Sequence, residues 1–228
     1  MDRTLFHKVR QFLTHYMTFS VDSYADICSL WAIGSHVFKS FDAFPYMVIT
    51  AATKRSGKTR LAELLAMVSY NPQFFAAMTP SAMFHIIGDG ATVFFDEAEE
   101  LSSEAAGVMR SVLNVGYRRG QTVPRMAGNE VVKYEVYSPK AFILIGDVHD
   151  TLRDRSIVIE MIRTTPPNIF RFTEAEEMAK QAMSGFDSKA LAAWCDNGAR
   201  KIDPYSFLEG REAEIWTPIL ALAEYFKL

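Results

Sequence analysis

YMVITAATKRSGKTRLAELLAM, residues Tyr46 to Met67, changes its apolar period in mid-course, and that change decides the fold. Tyr46-Met47-Val48-Ile49-Thr50 is short, apolar and β-branched, the composition of a strand covered on both faces. From Lys58 onward Leu61, Leu64, Leu65 and Val68 recur at three and four residues, the stripe of a helix packed on that strand. Between the two lies AATKRSGKT, which fits the pattern G-x-x-x-x-G-K-[ST] with Ala52 in place of the first glycine.

The pattern has a physical cause. A polyphosphate needs backbone N–H groups converging at the positive end of a helix, with little side-chain bulk in the way. Gly57 permits the approach, and Lys58 supplies a point charge to the β- and γ-phosphates. The Thr59 hydroxyl becomes a ligand of the bridging magnesium ion. Ala52, Thr53, Lys54, Arg55, Ser56, Gly57, Lys58, Thr59 and Arg60 therefore form the expected cradle for ATP. Ala52 is expected to tighten or distort the turn, since alanine tolerates positive φ poorly.

Composition sets the frame for such a site. The chain has 228 residues, 49% hydrophobic and 22% charged, enough for one large domain or a domain with an appendage. A formal charge of −3 excludes a globally basic nucleic-acid coat, so any contact with DNA must come from a local patch. No apolar run reaches about 18 residues, and the charged, amphipathic N-terminus lacks a small-residue cleavage site. A cytoplasmic protein is expected, with no membrane partner. Cys28 and Cys195 stand far apart without metal-ligand clustering and read as reduced, buried thiols.

Two apolar helical patterns, over 4–17 and 23–39, precede the decisive strand as a packed preface. After the helix that follows it, 74–78 reads as a short strand, and Thr79-Pro80-Ser81 opens another helix with Thr79 as its cap. Ala91 to Glu97 is then an apolar strand ending in two carboxylates. A buried strand that ends in Asp-Glu opposite a phosphate loop assigns Asp96 to the magnesium shell. Glu97 orients or activates the attacking water. Glu99 and Glu100 read as solvated helix-start charges. Ser102 or Ser103 caps a helix running to about Val115.

From Ala105 through Asn129 the only formal charges are Arg110, Arg118, Arg119 and Arg125, a basic segment in an acidic chain. With Lys133 it is the candidate contact for single-stranded DNA, through Arg118, Arg119, Arg125 and Lys133. The alternative is that these arginines pair with carboxylates elsewhere in the chain. Ala127-Gly128-Asn129 turns a hairpin whose second arm runs from Val131 to Val136. Ala141 to Ile145 is the next core strand, and Asp147 beyond it is a candidate γ-phosphate sensor. Arg155, with Arg153 second, precedes the last core strand, Ser156 to Met161, where a ring-forming ATPase presents an arginine to a neighbour's γ-phosphate. A structural pair between arginine and Asp154 is the competing reading. Thr164 to Pro167 reads as a boundary, and the remainder as helices: one capped by the box Thr173 to Glu176, then Ser188 to Lys201, then Arg211 to Phe226.

Taken together, PYMVITAATKRSGKTRLAELLAM, VFFDEAEEL, LNVGYRRG, SPKAFILIG, DTLRDRSIVIEM and REAEIWTPILALAEYF make the chain resemble a family of P-loop ATPase domains of unknown function. That family is often found C-terminal to primase-polymerase modules in bacterial, phage and plasmid proteins. The resemblance implies an α/β fold of the additional-strand P-loop class, close to the AAA+ and superfamily 3 helicase plan. A parallel five-stranded core in the order 5-1-4-3-2 and ring assembly of identical subunits follow from it. Tyr117 stands where that family is expected to carry histidine, and His149 where it is expected to carry proline. No primase module precedes the ATPase in these residues, so priming activity is not carried over.

The expected organisation is a helical segment over 1–44, a P-loop ATPase core over 45–165 and a helical lid over 166–228. The expected activity is magnesium-dependent ATP hydrolysis by Lys58, Glu97 and a trans Arg155, driving a helicase-like motor of a replication system. The alternative is an ATP-gated regulatory or defence switch that binds a protein partner.

Overall fold

Residues that alternate between two apolar environments leave a strand no solvent face, and Tyr46–Ala51 is such a strand. The computed structural model describes residues 3–75, 80–96, 103–198 and 206–228. In chain order its helices are α1 (Thr4–Tyr16), α2 (Asp22–Gly34), α3 (Lys58–Val68), α4 (Pro80–Gly88), α5 (Ser103–Val115), the single turn α6 (Asp150–Arg153), α7 (Phe172–Ala182), α8 (Ser188–Gly198) and α9 (Gly210–Phe226). Its strands are β1 (Tyr46–Ala51), β2 (Pro72–Phe75), β3 (Thr92–Asp96), β4 (Thr122–Ala127), β5 (Glu130–Glu135), β6 (Lys140–Ile145) and β7 (Ser156–Glu160).

Five of the strands form a parallel sheet in the order β2-β3-β6-β1-β7, while β4 and β5 make a separate antiparallel hairpin. Counted along the chain without the hairpin, the sheet stands 5-1-4-3-2. β1 lies between β6 and β7, with Met47 opposite both Ala141 and Ile157. Its residues divide by parity. Met47, Ile49 and Ala51 enter an apolar cluster with α1, α2, α3, α7, α8 and α9; Tyr46 and Val48 enter another with α4, α5 and the hairpin. Helices thus cover both faces, as a parallel sheet requires.

The first cluster joins the beginning of the chain to its end. Phe6 of α1 meets Phe226 of α9 with ring centroids 6.0 Å apart. Gly34 allows α2 to approach α9 closely, since a Cβ there would lie 2.8 Å from Leu222 Cδ1. α2 ends earlier than the apolar pattern predicts, at Gly34 rather than residue 39, and is followed by a 3-10 turn, Phe38–Ser40. The Ser35 hydroxyl donates to Ala32 O and accepts from Tyr70 N–H, a local side-chain bond that competes with continued helix.

The predicted capping box over Thr173–Glu176 does not form. α7 begins at Phe172, and its cap Arg171 makes no side-chain cap bond but pairs with Glu174 at 3.0 Å. The expected strand over 74–78 is seen as Pro72–Phe75, and the Thr79 cap falls outside the described residues, as does Ser102. Both cysteines are free and buried. Among the described residues no helix is long and apolar enough to cross a membrane.

His36 joins α2's end to α3 by donating from Nε2 to Val68 O at 3.0 Å, edge-on to Tyr70 and Phe186. Burial lowers its pKa below the ordinary 6.5. The unfolded chain therefore takes up a proton at a pH where the folded chain does not. The sign follows: stability is full above about pH 6.5 and falls as the pH drops below it. His36→Gln, which keeps a donor, is expected to flatten that part of the profile. Thermal midpoints of both proteins from pH 7.5 to 5.5 check this; parallel curves would refute it.

Candidate functional site

Where β1 ends at Ala51 the chain enters the loop 52–57 and then α3. Two residues in that loop take the left-handed conformation, Arg55 at φ +63° and Gly57 at φ +88°, the latter directly before α3. Ala52 is not among the non-glycine residues with positive φ, so the turn does not ask the alanine for the left-handed conformation. The strained position is Arg55, at a cost of about 1–2 kcal/mol for a non-glycine residue.

Lys58, first residue of α3, is only 8% exposed. Its Nζ donates to Ser56 Oγ at 3.3 Å and to Thr53 O at 3.4 Å, which folds the side chain back along the loop. Thr53, Lys54 and Arg55 are exposed, and so is Thr59 in the first turn of the helix. Thus a buried ammonium group and the N–H groups that open α3 occupy the same place, which suits an anion. Arg60 departs from the expected cradle. Its guanidinium lies over the Phe170 ring at 3.4 Å.

The neighbouring strand ends are fixed to the loop. Thr50 Oγ1 donates to Gly146 O at 2.7 Å, and Gly146 N–H donates to Ala51 O at 3.0 Å, so β1 and β6 terminate together. Asp147 follows, exposed to solvent. On the far side of β6, Asp96 ends β3, half-buried and level with Ile143. The loop, Asp147 and Asp96 therefore share the C-terminal edge of the sheet, with β6 inserted between β1 and β3. Glu97 lies outside the described residues, as do Glu99 and Glu100. Among the described residues no group of three His, Cys, Asp or Glu side chains could hold a metal. A magnesium ion on phosphates needs only one or two protein ligands, and Thr59 and Asp96 are of the right chemistry.

Arg155 is at the other end. It immediately precedes Ser156, which pairs with Tyr46 at the start of β1, and its carbonyl accepts from Tyr46 N–H. Six strand residues at ~3.3 Å each put roughly 17–20 Å between that level and the loop. Arg155 Nη1 donates to Thr151 O at 2.6 Å and Nε to Asn114 O at 3.3 Å. Its neighbour Asp154 pairs with Arg211 at 2.9 Å, not with Arg155, and Arg153 is exposed.

The basic segment is not one patch. Arg118 grips Glu214 of α9 with both Nη2 and Nε, at 2.5 and 3.1 Å, and Arg119 pairs with Asp42 at 2.6 Å. Both are thus held by carboxylates of their own chain, far away in sequence. Arg125 and Lys133 fall on opposite faces of the hairpin, since Lys133 pairs with Pro124 and Arg125 with Val132; Lys133 is exposed, and Arg125 lies 5.4 Å over the Phe84 ring.

One residue escaped the sequence reading. Lys140, fully buried at the start of β6, donates to Val136 O at 2.7 Å, Ser138 O at 2.9 Å and Gly116 O at 3.3 Å. Burial pushes its pKa well below the ordinary 10.5. Tyr46 OH lies 3.3 Å from Val112 O, so Tyr46, Arg155 and Lys140 together serve carbonyls at or just past the C-terminal end of α5. The available signal was a lysine at the head of the apolar run SPKAFILIG.

No family model matches the chain, and no curated protein matches it. Among solved structures, a crystal structure of JCV helicase bound to a thiazolopyridinyl-phenoxyphenyl acetamide is similar, at 14% identity and a TM-score of 0.42. The match covers 98% of this chain and 55% of that one, so the chain spans about half the length of the protein it matches. What this chain itself presents is an α/β fold with a five-stranded parallel sheet whose C-terminal edge carries a lysine-bearing loop beside two aspartates.

Proposed function

We propose that this chain is a magnesium-dependent ATPase of the additional-strand P-loop, AAA+-like class, working as a helicase-like nucleic-acid motor in a phage, plasmid or bacterial replication system. The observation that carries the reading is Lys58, buried at the N-terminus of α3 on the same sheet edge as Asp96 and Asp147. Backbone N–H groups of the loop and the Lys58 ammonium hold the phosphates, and Thr59 with Asp96 would hold magnesium. That ion, when bound, supplies charge neutralisation between the β- and γ-phosphates. Glu97 orients water and Asp147 senses the γ-phosphate. Residues 1–44 are a preface, 45–165 the catalytic core and 166–228 a lid.

Arg155 belongs to this scheme only between subunits, because its own loop lies a strand's length away. A neighbour's phosphate would have to draw it off Thr151 O and Asn114 O. Steady-state ATP hydrolysis with magnesium, over a range of protein concentrations and with or without single-stranded DNA, tests the proposal beside Glu97→Gln. Turnover that rises with concentration and with DNA, and is lost in Glu97→Gln, is expected. A second reading, an ATP-gated switch that binds a protein partner, is favoured by the ion pairs of Arg118 and Arg119. Hydrolysis indifferent to DNA would select it.

A further inference from the structure

After β7 the chain runs in the open. Residues 162–169 are all exposed, and this strap is held by few bonds: Thr18 Oγ1 donates to Thr165 O at 3.4 Å, and Asn168 Nδ2 donates to His15 O at 2.8 Å. Its beginning is fixed at the loop end of β1, where Met161 N–H donates to Thr50 O at 2.7 Å. Its other end is Phe170, two residues before α7, and Phe170 is where the strap acquires a strong contact. The Arg60 guanidinium carbon stands 3.4 Å from the Phe170 ring centre, and the other aromatic neighbour is Tyr16, at 5.5 Å.

Arg60 is the residue after Thr59, in the first turn of the helix that opens at the phosphate loop. Its nearest carboxylate is Glu63, 2.9 Å away, yet Glu63 Oε2 makes no hydrogen bond. The planar guanidinium thus sits between the Glu63 carboxylate and the Phe170 ring, and the ring is a contact outside its own helix. Tyr16 continues the chain of contacts, donating its hydroxyl to the Met178 sulfur on α7 at 3.4 Å. A chain of contacts thus leads from the turn that would hold phosphate to α7.

We infer that Arg60 is a positioning residue: stacked on Phe170, it couples nucleotide occupancy of the loop 52–59 to the seating of the strap and α7. The inference rests on the ATPase reading above. Phosphate that draws the first turn of α3 into place also sets the angle of Arg60, and with it the ring to which the strap is fastened. By linkage, a seated strap raises nucleotide affinity to the same extent that nucleotide seats the strap.

The test uses the full chain and a fluorescent, non-hydrolysable ATP analogue with magnesium. Analogue affinity and amide exchange of 172–182 are measured for wild type, Arg60→Ala, Phe170→Leu, the double variant and Phe170→Trp, which retains a ring. Each single truncation is expected to weaken binding by roughly two- to five-fold, the range of a partly exposed cation–π contact. The double variant is expected to be no weaker than the singles. Analogue should slow exchange of α7 in wild type and Phe170→Trp but not in the truncated proteins. Additive losses, or α7 protection that persists in Arg60→Ala, would overturn the coupling. Wild type that is folded yet binds no analogue would overturn the ATPase reading itself, and is recognised by the absence of any signal to modulate.

Discussion

Lys58→Ala is expected to lower kcat/KM for ATP hydrolysis by on the order of 10²–10³-fold while the chain stays folded. The magnitude follows from the loss of a preorganised, largely buried charge aimed at developing phosphate charge. The fold is expected to be spared because the side chain folds back along its own loop, onto Ser56 Oγ and Thr53 O. Hydrolysis rates, analogue binding and a thermal melt check the prediction together. A variant that keeps hydrolysis within tenfold of wild type would remove the loop from the mechanism. One that unfolds would show that the ammonium group serves the loop's architecture instead.

The largest expected stability effect lies at the opposite edge of the sheet. Lys140→Ala strips the donor from the carbonyls of Val136, Ser138 and Gly116 and leaves a void beside Tyr46, which the amine approaches to 5.3 Å of the ring centre. Deserted buried acceptors and a cavity together cost about 3–5 kcal/mol. For a chain of this length each kcal/mol lowers the melting temperature by about 2–4 °C. A fall of roughly 10 °C is therefore expected in a melt at neutral pH. Lys140→Met should recover part of it by refilling the space without restoring the bonds. The site leaves no slack: a Cβ on Gly116 would stand 2.6 Å from the same Val136 oxygen. A loss under 1 kcal/mol would mean that water replaces the amine.

Much of this fold was legible because its signals are local. The switch from a buried β-branched run to a three-and-four stripe located β1 and α3, and Ala-Gly-Asn between two arms located the hairpin, whose Gly128 has φ +62°. The loop residues and Asp96 were legible for the same reason: each sits where a strand stops. Arg118 and Arg119 were not, since nothing near them in sequence announces Glu214 or Asp42 as partners. The extra length assigned to α2 failed where Ser35 bonds to its own helix, a choice that an apolar count cannot register. Thr173 failed as a cap because the helix had already begun one residue earlier. Lys140 was passed over because hydropathy treats a lysine as an interruption, whereas here its chain spans the layer and its amine meets carbonyls.

The contact between α2 and α9 bears on how the protein folds. Phe6 and Gly34 belong to α1 and α2, yet Leu222 and Phe226, which close over them, come from α9, on the far side of the whole sheet-forming segment. The apolar face they seal therefore waits on contacts of long sequence separation, whose loop-closure entropy must be met before the contacts reward it. Until α9 docks, that face of α1 and α2 is surface on which another unfinished chain can settle.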